Sequence, residues 1–462
     1  MPPPGSLLVN LKASLYAVLP DFALGYAERI EASPVGYRLA RGAFWALAGA
    51  TISRGLALIS SVLVARILGK VGFGELGIVQ TTVGMFGAFA GFGLGLTSTK
   101  YVAEFRATDP ARAGRIMALS VVVAVVTGAV ATVALLVLAP WLAEHTLAAP
   151  HLAGVLRIGG GMLFLGAVTG AQSGALAGFE AFKTIAVVNF ASGLVTFPLL
   201  VGGTILGGLK GAVWALVGSM GVNWLLNHVS LRRESALAGV PFRLSGWGRE
   251  WPTLWKFSLP AALSGVIVAP IYWVTNSILV NRPNGYAEMG IFNAANQWFG
   301  ALLFLPAVLG QVVLPALSER LGDEDRIRAA KMVSLSIKLN LLVVTPLVLI
   351  LCLASPWVMG FYGHSFRAGW PTFVIVVVTA DLLAVQLPVS QLIAAAGRMW
   401  LGFSMNLGWA LVFVLGTAAW VSNGATGLAA ARLTAYAVHS LWTFGWARHA
   451  LKANGVRSLR PS

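Results

Sequence analysis

The sequence predicts an all-α integral membrane protein in which twelve transmembrane helices form two parallel six-helix lobes around a central cavity. Apolar stretches of about 20 residues, each able to cross a hydrocarbon core of ~30 Å, follow one another along the chain. Only 10% of the residues are charged and the mean hydropathy is +0.80, whereas a soluble domain carries about 25% charged residues. The third observation is an internal duplication, which divides the stretches into two equal sets.

Stretches long enough to span the bilayer occur six times in each half of the chain. Those of the first half are residues 43–68, 73–97, 116–138, 152–175, 185–206 and 212–229. Those of the second half are residues 257–280, 290–314, 333–353, 369–396, 401–420 and 427–447. We therefore expect a tail, an N-terminal lobe, a basic inter-lobe linker, a C-terminal lobe and a second tail, at residues 1–42, 43–231, 232–256, 257–450 and 451–462.

Basic residues between the stretches predict the orientation of the chain. The formal charge is +16, and most of the 32 lysine and arginine residues fall in alternate connections. Because positively charged loops stay in the cytoplasm, both termini are predicted to be cytoplasmic. Residues 1–42 lack the basic start and cleavage site of a secretory signal, so we expect a cytoplasmic or interfacial tail. The cations do not cluster on a soluble face, so no nucleic acid partner is expected.

The second half of the chain repeats the first at an offset of roughly 213 to 219 positions. Glu75 and Glu288 open the same Glu-x-Gly-Ile segment after the first and the seventh stretch, and Gly178 and Gly397 mark the turns after the fourth and the tenth. Since each unit has an even number of spans, the two copies enter the membrane from the same side and are parallel repeats. Two such lobes facing each other enclose the predicted cavity.

Three features together resemble a known family. They are the turn VARILGKVGFGELGIV after the first stretch, the loop YVAEFRATDPARAGR after the second, and the duplicated twelve-span plan. With these features nearly the whole chain after residue 42 is similar to the polysaccharide flippases of the multidrug/oligosaccharidyl-lipid/polysaccharide (MOP) exporter superfamily. The related lipid II flippases typically have fourteen spans, and the twelve predicted here weigh against that branch.

The resemblance implies alternating access by the two lobes, which carry an undecaprenyl-pyrophosphate-linked oligosaccharide from the inner to the outer leaflet of a bacterial cytoplasmic membrane. The implied partners are this anionic glycan, membrane lipids, a coupling proton or sodium ion, and a polysaccharide polymerase with its export machinery. No enzyme activity is implied. The chain has a single cysteine, Cys352, scattered histidines and no P-loop motif, so no catalytic residue, metal or cofactor is expected.

Arg54 is the first predicted substrate-binding residue. It lies near the middle of the first stretch, where a charged side chain costs at least ~2.5 kcal/mol unless it has a partner or a water-filled cavity. Its helix face carries small and hydroxylic residues, Ala57 and Ser61 among them, and is expected to line the cavity, where Ser61 is a further predicted substrate-binding residue. A guanidinium there can clamp a pyrophosphate with two hydrogen bonds. The alternative is a structural arginine bonded to carbonyl groups of a neighbouring helix.

A polar stripe on the eighth stretch is the second predicted binding element. Asn293, Asn296 and Gln297 share one helix face, and Gln80 holds a matching position in the second stretch. Amide side chains suit sugar hydroxyls, so these four residues are predicted to bind substrate. The alternative is hydrogen bonding between helices with no ligand, which is common for amide side chains in membranes.

Asp381 and Arg432 are the remaining candidates. Asp381 is the one carboxylate that we place at the middle of a span, and a buried carboxylate can exchange protons and so couple proton movement to transport. Arg432 lies in the twelfth stretch at a depth that its long side chain can bridge to Asp381. The alternative is therefore a structural ion pair between the two.

Three other functions compete with the flippase hypothesis. A cation-coupled multidrug exporter of the same superfamily would place carboxylates in its cavity to bind cationic drugs, whereas this chain places an arginine there. A multispan polysaccharide polymerase or ligase would need a sizeable outer loop for its catalytic residues, and the outer connections here are short. A membrane scaffold without transport would gain nothing from a charged residue at mid-membrane.

Overall fold

The computed structural model describes residues 34–451, apart from 92, 243–244, 254, 256–257, 259–265, 311–312, 314–316 and 318–325; side chains are described from residue 51 onward, except those of 326 and 399. Within these residues helices are the only regular secondary structure. The predicted tails at residues 1–33 and 452–462 lie outside the described part of the chain. Residues 34–42, which we assigned to the N-terminal tail, belong to the first helix.

The first half of the described chain forms five helices. They are α1 (Pro34–Ala90), α2 (Leu94–Phe105), α3 (Pro110–Trp141), α4 (Ala153–Gly178) and α5 (Phe182–Leu237). Helix α3 has a capped N-terminus. Asp109 accepts a hydrogen bond from the backbone N–H of Arg112 at 2.9 Å, and Pro110 occupies the first helical position, where its missing N–H is not needed.

The second half forms seven helices. They are α6 (Val268–Val280), α7 (Gly285–Leu302), α8 (Arg326–Leu353), α9 (Ser355–Phe361), α10 (Trp370–Ala395), α11 (Met399–Trp420) and α12 (Gly424–Leu451). Helix α7 continues past a bend at Leu303 as an apolar segment that reaches Gly310.

Glycines in the left-handed region divide the two longest helices at predicted turns. In α1 the backbone breaks at Gly69, with φ 67°, and in α5 at Gly207 and Gly208, with φ 55° at Gly208. Side chains other than glycine rarely adopt these angles, so the chain reverses there at little cost. Gly93, with φ 64°, interrupts the predicted second span between α1 and α2, which the sequence did not indicate.

Eight helical segments of the described residues are long and apolar enough to cross a membrane. Two of them, Phe182–Leu237 and Trp400–Leu451, hold 56 and 52 residues, more than twice the ~20 residues that one crossing needs. The fold is therefore that of an all-α integral membrane protein, as predicted. The number of twelve spans stays a prediction.

Helices pack on one another within each half of the chain and also between the halves. In the first half, α1 packs on α5, α3 on α4, and α4 on α5; in the second half, α8 and α12 pack on α10, and α11 packs on α12. Contacts between the halves run mainly from α1 to α7 and α6. The cavities described below lie along this boundary.

The two halves touch closely near the Gly69 break, the end of the bundle that the charge distribution places outside. A Cβ atom at Gly74 would overlap the backbone carbonyl oxygen of Tyr286, and one at Gly290 would overlap that of Lys70. Glycine is required at this crossing because the backbones of α1 and α7 meet without side chains between them. We call this contact the glycine crossing.

Hydrogen bonds surround the glycine crossing and join the two halves. Asn293 of α7 donates to the Phe73 carbonyl of α1 at 3.2 Å. Arg66 donates through Nε to the Phe361 carbonyl at 2.7 Å, and the Tyr286 hydroxyl donates to the Leu147 carbonyl at 2.7 Å. The structure is thus closed between the halves at this end.

The linker predicted at residues 232–256 is partly helical and is held on the first half. Helix α5 extends to Leu237, beyond the predicted end of its span. Glu250 then accepts hydrogen bonds from Arg112 and Arg115, each at 3.2 Å, on the cytoplasmic side predicted for this loop. The side chain of Glu250 is 8% exposed, so this buried cluster of charges anchors the linker to α3 of the first half.

Candidate functional site

A cavity of about 520 Å³ lies between the two halves. Four of the predicted substrate-binding residues line it, namely Arg54, Ser61, Gln80 and Gln297. Arg54 and Ser61 belong to the segment of α1 before the Gly69 break, and Gln80 belongs to the segment after it. Gln297 belongs to α7. Both halves of the duplication therefore contribute to one chamber.

Arg54 is exposed within this chamber and also contacts the opposite half. One guanidinium nitrogen, Nη1, donates to the Gly300 carbonyl at 3.2 Å, and the guanidinium carbon lies 4.5 Å from the centre of the Phe304 ring. This is the geometry of the carbonyl-bonded alternative, but it is found in an open cavity and not in a closed helix contact. A guanidinium has five N–H donors, and a single carbonyl bond does not exhaust them.

The chamber has a second polar wall, which we did not predict. The wall is formed by three residues of α5, Asn189, Ser192 and Thr196, and by Asn223, which follows the break at Gly208 in the same helix. Nδ2 of Asn223 donates a hydrogen bond to the Ser192 hydroxyl at 2.9 Å. The signal was present as spacing, because Asn189, Ser192 and Thr196 follow one another at i, i+3 and i+7 on one helix face. In an otherwise apolar helix such a polar face indicates a cavity lining as well as the polar stripe on the eighth stretch does.

A second cavity, of about 290 Å³, lies on the other side of α7. Asn293 and Asn296 line it, together with Arg432 of α12. The predicted stripe is therefore divided by the rotation of its helix: Gln297 faces the larger cavity, and the two asparagines face the smaller one. Asn293 is also bonded to the Phe73 carbonyl, so for this residue the helix-bridging alternative is present as well.

The structure does not bring Asp381 and Arg432 together. Thr345 of α8 donates to both carboxylate oxygens of Asp381, at 3.0 and 3.1 Å. Arg432 donates through Nη1 to Oδ1 of Asn296 at 2.7 Å and stacks against aromatic rings of α7. The expected ion pair is thus replaced by two separate contacts, because α10 turns Asp381 toward α8 and α12 turns Arg432 toward α7.

The charge of the cavities has one sign. In the described lining of the larger cavity Arg54 is the charged residue, in that of the smaller cavity Arg432 is, and neither lining contains a carboxylate. The remaining polar groups are neutral amides and hydroxyls. A cavity of this kind favours a ligand that combines negative charge with many hydroxyl groups.

A bundle of membrane helices in two halves, with a polar cavity at their boundary that is closed at one end, defines the class of protein: a polytopic membrane transporter. The chain belongs to the family described as "Polysaccharide biosynthesis protein", whose sequence profile matches residues 39–321. The matched region reaches from the first span across the glycine crossing and into the second half.

Two curated relatives are similar over most of their length. The EPS I polysaccharide export inner membrane protein EpsE of Ralstonia nicotianae is 25% identical over 376 residues, which are 80% of this chain and 84% of the relative. The protein of the same name from Ralstonia solanacearum is 25% identical over 401 residues, which are 84% of this chain and 89% of the relative.

Solved transporters of the MOP superfamily share the fold. An inward-facing multidrug resistance MATE family transporter superposes with a TM-score of 0.72 at 16% identity, covering 90% of this chain and 99% of that one. The lipid II flippase MurJ, in an inward closed conformation, superposes with a TM-score of 0.68 at 14% identity, covering 90% of this chain and 91% of that one. These likenesses confirm the predicted fold.

Proposed function

We propose that this protein flips a lipid-linked anionic oligosaccharide, carried on undecaprenyl pyrophosphate, from the inner to the outer leaflet of the bacterial inner membrane for cell-surface polysaccharide export. Family membership and the export function in the names of the EpsE relatives support polysaccharide export. Both termini are then cytoplasmic, and the glycine crossing closes the outer side. The polymerase that extends the glycan is the expected partner on that side.

The observation that carries the proposal is the sign of charge in the cavities. A transporter for cationic drugs needs carboxylates to offset the charge of its substrate. The described linings contain arginine and neutral polar groups instead. The charge of a pyrophosphate is offset by Arg54, and the sugars meet the side-chain amides of Gln80, Gln297 and Asn223.

Alternating access supplies the mechanism. With the outer end closed, the lipid-linked glycan enters the larger cavity from the inner leaflet, and the pyrophosphate approaches Arg54. A pyrophosphate that binds the remaining Arg54 donors draws the guanidinium away from the Gly300 carbonyl and so weakens one contact between the halves. Separation of α1 from α7 at the glycine crossing then opens the cavity to the outer leaflet.

The direct test is flipping by the purified protein in proteoliposomes. The substrate is a fluorescent undecaprenyl-pyrophosphate oligosaccharide, and a cationic dye is offered in parallel vesicles. We expect the glycolipid to reach the outer leaflet and the dye to stay where it was. Movement of the dye alone would replace the proposal with the multidrug exporter.

Asp381 tests how the cycle is driven. We propose that its carboxylate exchanges the coupling proton, since its described partner is the neutral hydroxyl of Thr345 and not a cation. A pH gradient that is acidic outside is expected to accelerate flipping of the glycolipid by the wild type. The flipping rate of Asp381→Asn is expected not to depend on the gradient. The measurement is the initial rate with and without the gradient.

The control for this prediction is Thr345→Val, which removes the hydrogen bond and keeps the carboxylate. This variant should keep its response to pH. If Asp381→Asn responds to the gradient as the wild type does, Asp381 is a structural residue and another group carries the proton. If the wild type does not respond to the gradient, sodium becomes the ion to test.

A further inference from the structure

The smaller cavity contains a buried arginine with part of its hydrogen-bonding capacity unused. Arg432 is 1% exposed, and its Nη1 is bonded to Asn296. Its Nε and Nη2 are buried without a well-formed hydrogen bond among the described residues, and the hydroxyl of Tyr272 is a polar group beside the guanidinium. In membrane interiors an unsatisfied buried cation is costly and marks a functional site by default.

These two nitrogens form one edge of the guanidinium. Nε–H and Nη2–H are parallel, and together they match the two oxygens of a carboxylate or of a phosphate. The opposite corner of the group is fixed by Asn296, and the face lies 4.1 Å from the centre of the Phe299 ring and 5.1 Å from that of Phe292. The edge is therefore held rigidly, with its donors buried and not fully satisfied.

A second unsatisfied atom lines the same cavity. Asn276 of α6 donates through Nδ2 to the Thr81 hydroxyl at 3.3 Å, whereas its Oδ1 is buried without a partner. Asn276 is 5% exposed, so water reaches it poorly. The cavity thus offers a rigid pair of donors from Arg432 and one acceptor from Asn276, between aromatic walls.

We propose that the smaller cavity is a subsite for an acidic sugar, in which Arg432 binds the sugar carboxylate and Asn276 accepts a hydrogen bond from a sugar hydroxyl. The inference rests on the proposed function and adds a substrate class to it. The volume of about 290 Å³ lies at the lower end of the range for small-molecule pockets, which suits one sugar residue and not a long chain. The aromatic rings of the lining offer an apolar surface for one face of a pyranose.

The subsite lies beside the pyrophosphate site on the same helix. Arg54 bonds to Gly300 and Arg432 bonds to Asn296, and four residues along α7 correspond to one helical turn, ~6 Å. The two arginines lie in different cavities, on opposite sides of α7, so the acidic sugar binds apart from the pyrophosphate. Thr81 and Gly84 of α1 complete the subsite, which therefore depends on both halves being together.

The test compares two lipid-linked oligosaccharides that differ in one group. Both carry the same undecaprenyl pyrophosphate, and one ends in glucuronic acid where the other ends in glucose. We expect wild-type protein in proteoliposomes to prefer the acidic substrate by at least ~10-fold in kcat/KM, because a site built for a hydrogen-bonded group rejects the analogue that lacks it. Equal rates for the two would overturn the subsite and leave the flippase proposal standing.

Two variants separate the possible roles of the buried arginine. Arg432→Gln should lower flipping of the acidic substrate to the rate of the glucose substrate, and Arg432→Lys should lose most of the preference, since an ammonium lacks the planar edge. A similar loss for both substrates would assign Arg432 to the pyrophosphate or to the fold and overturn the subsite. Flipping of neither substrate by the wild type would overturn the proposed function and the subsite together. The wild-type comparison decides the question even if a variant fails to fold.

Discussion

Arg54→Ala is expected to lower flipping of the lipid-linked glycan by at least ~30-fold, the equivalent of about 2 kcal/mol, with the protein still inserted and abundant. The described lining of the larger cavity is uncharged apart from Arg54. Removing the guanidinium therefore leaves no positive charge in this lining to offset the pyrophosphate. Arg54→Lys should retain part of the rate, because the positive charge remains while the paired donors are lost. The measurement is the initial rate in proteoliposomes, supported by complementation of a flippase-null strain.

The matched control is Arg157→Ala. Arg157 is also an exposed arginine in a span, but it lies on α4, outside the lining of the two cavities, and bonds weakly to the Leu136 carbonyl at 3.5 Å. Its removal should change the rate less than 2-fold. Full complementation by Arg54→Ala would show that the Gly300 bond is a structural contact and that another group binds the pyrophosphate.

Gly74→Ala is expected to prevent closure at the outer end and to reduce flipping by at least ~10-fold. The added methyl group meets the backbone carbonyl of Tyr286, which cannot rotate away as a side chain can. Overpacking of this kind costs about 1–3 kcal/mol, which shifts a two-state equilibrium by ~5- to 150-fold. Since alternating access requires the closed state in every cycle, the rate falls with the population of that state.

The distance between the two halves can be measured directly. Spin labels at Glu144→Cys and Arg367→Cys, two exposed positions near the glycine crossing, report the outer opening in a Cys352→Ala background. Gly74→Ala should move the distance distribution toward longer values without substrate. Gly55→Ala on the same helix is the control, because a methyl group there meets nothing within 4 Å. An unchanged distribution in Gly74→Ala would show that the crossing is not the gate.

The sequence by itself determined the membrane class, the turns at Gly69 and Gly208, and the family. Each depends on properties that are local in the chain. A run of apolar residues partitions into the bilayer whatever lies beside it, and only a helix satisfies its backbone there. Gly69 and Gly208 break helices because of their own backbone freedom. The small and hydroxylic face around Arg54 was sufficient to predict that this residue lines a cavity.

The tertiary structure alone decided which side chains meet. Asn296 and Gln297 share one predicted stripe but face different cavities, and the polar wall of Asn189 and Ser192 was not predicted. Arg432 forms a hydrogen bond with Asn296 and not the predicted ion pair with Asp381. Contacts of this kind depend on how each helix is rotated about its axis and where it crosses its neighbours. Packing against residues far away in the sequence sets both, as at the glycine crossing, and the hydrophobicity that places a helix in the membrane does not specify them.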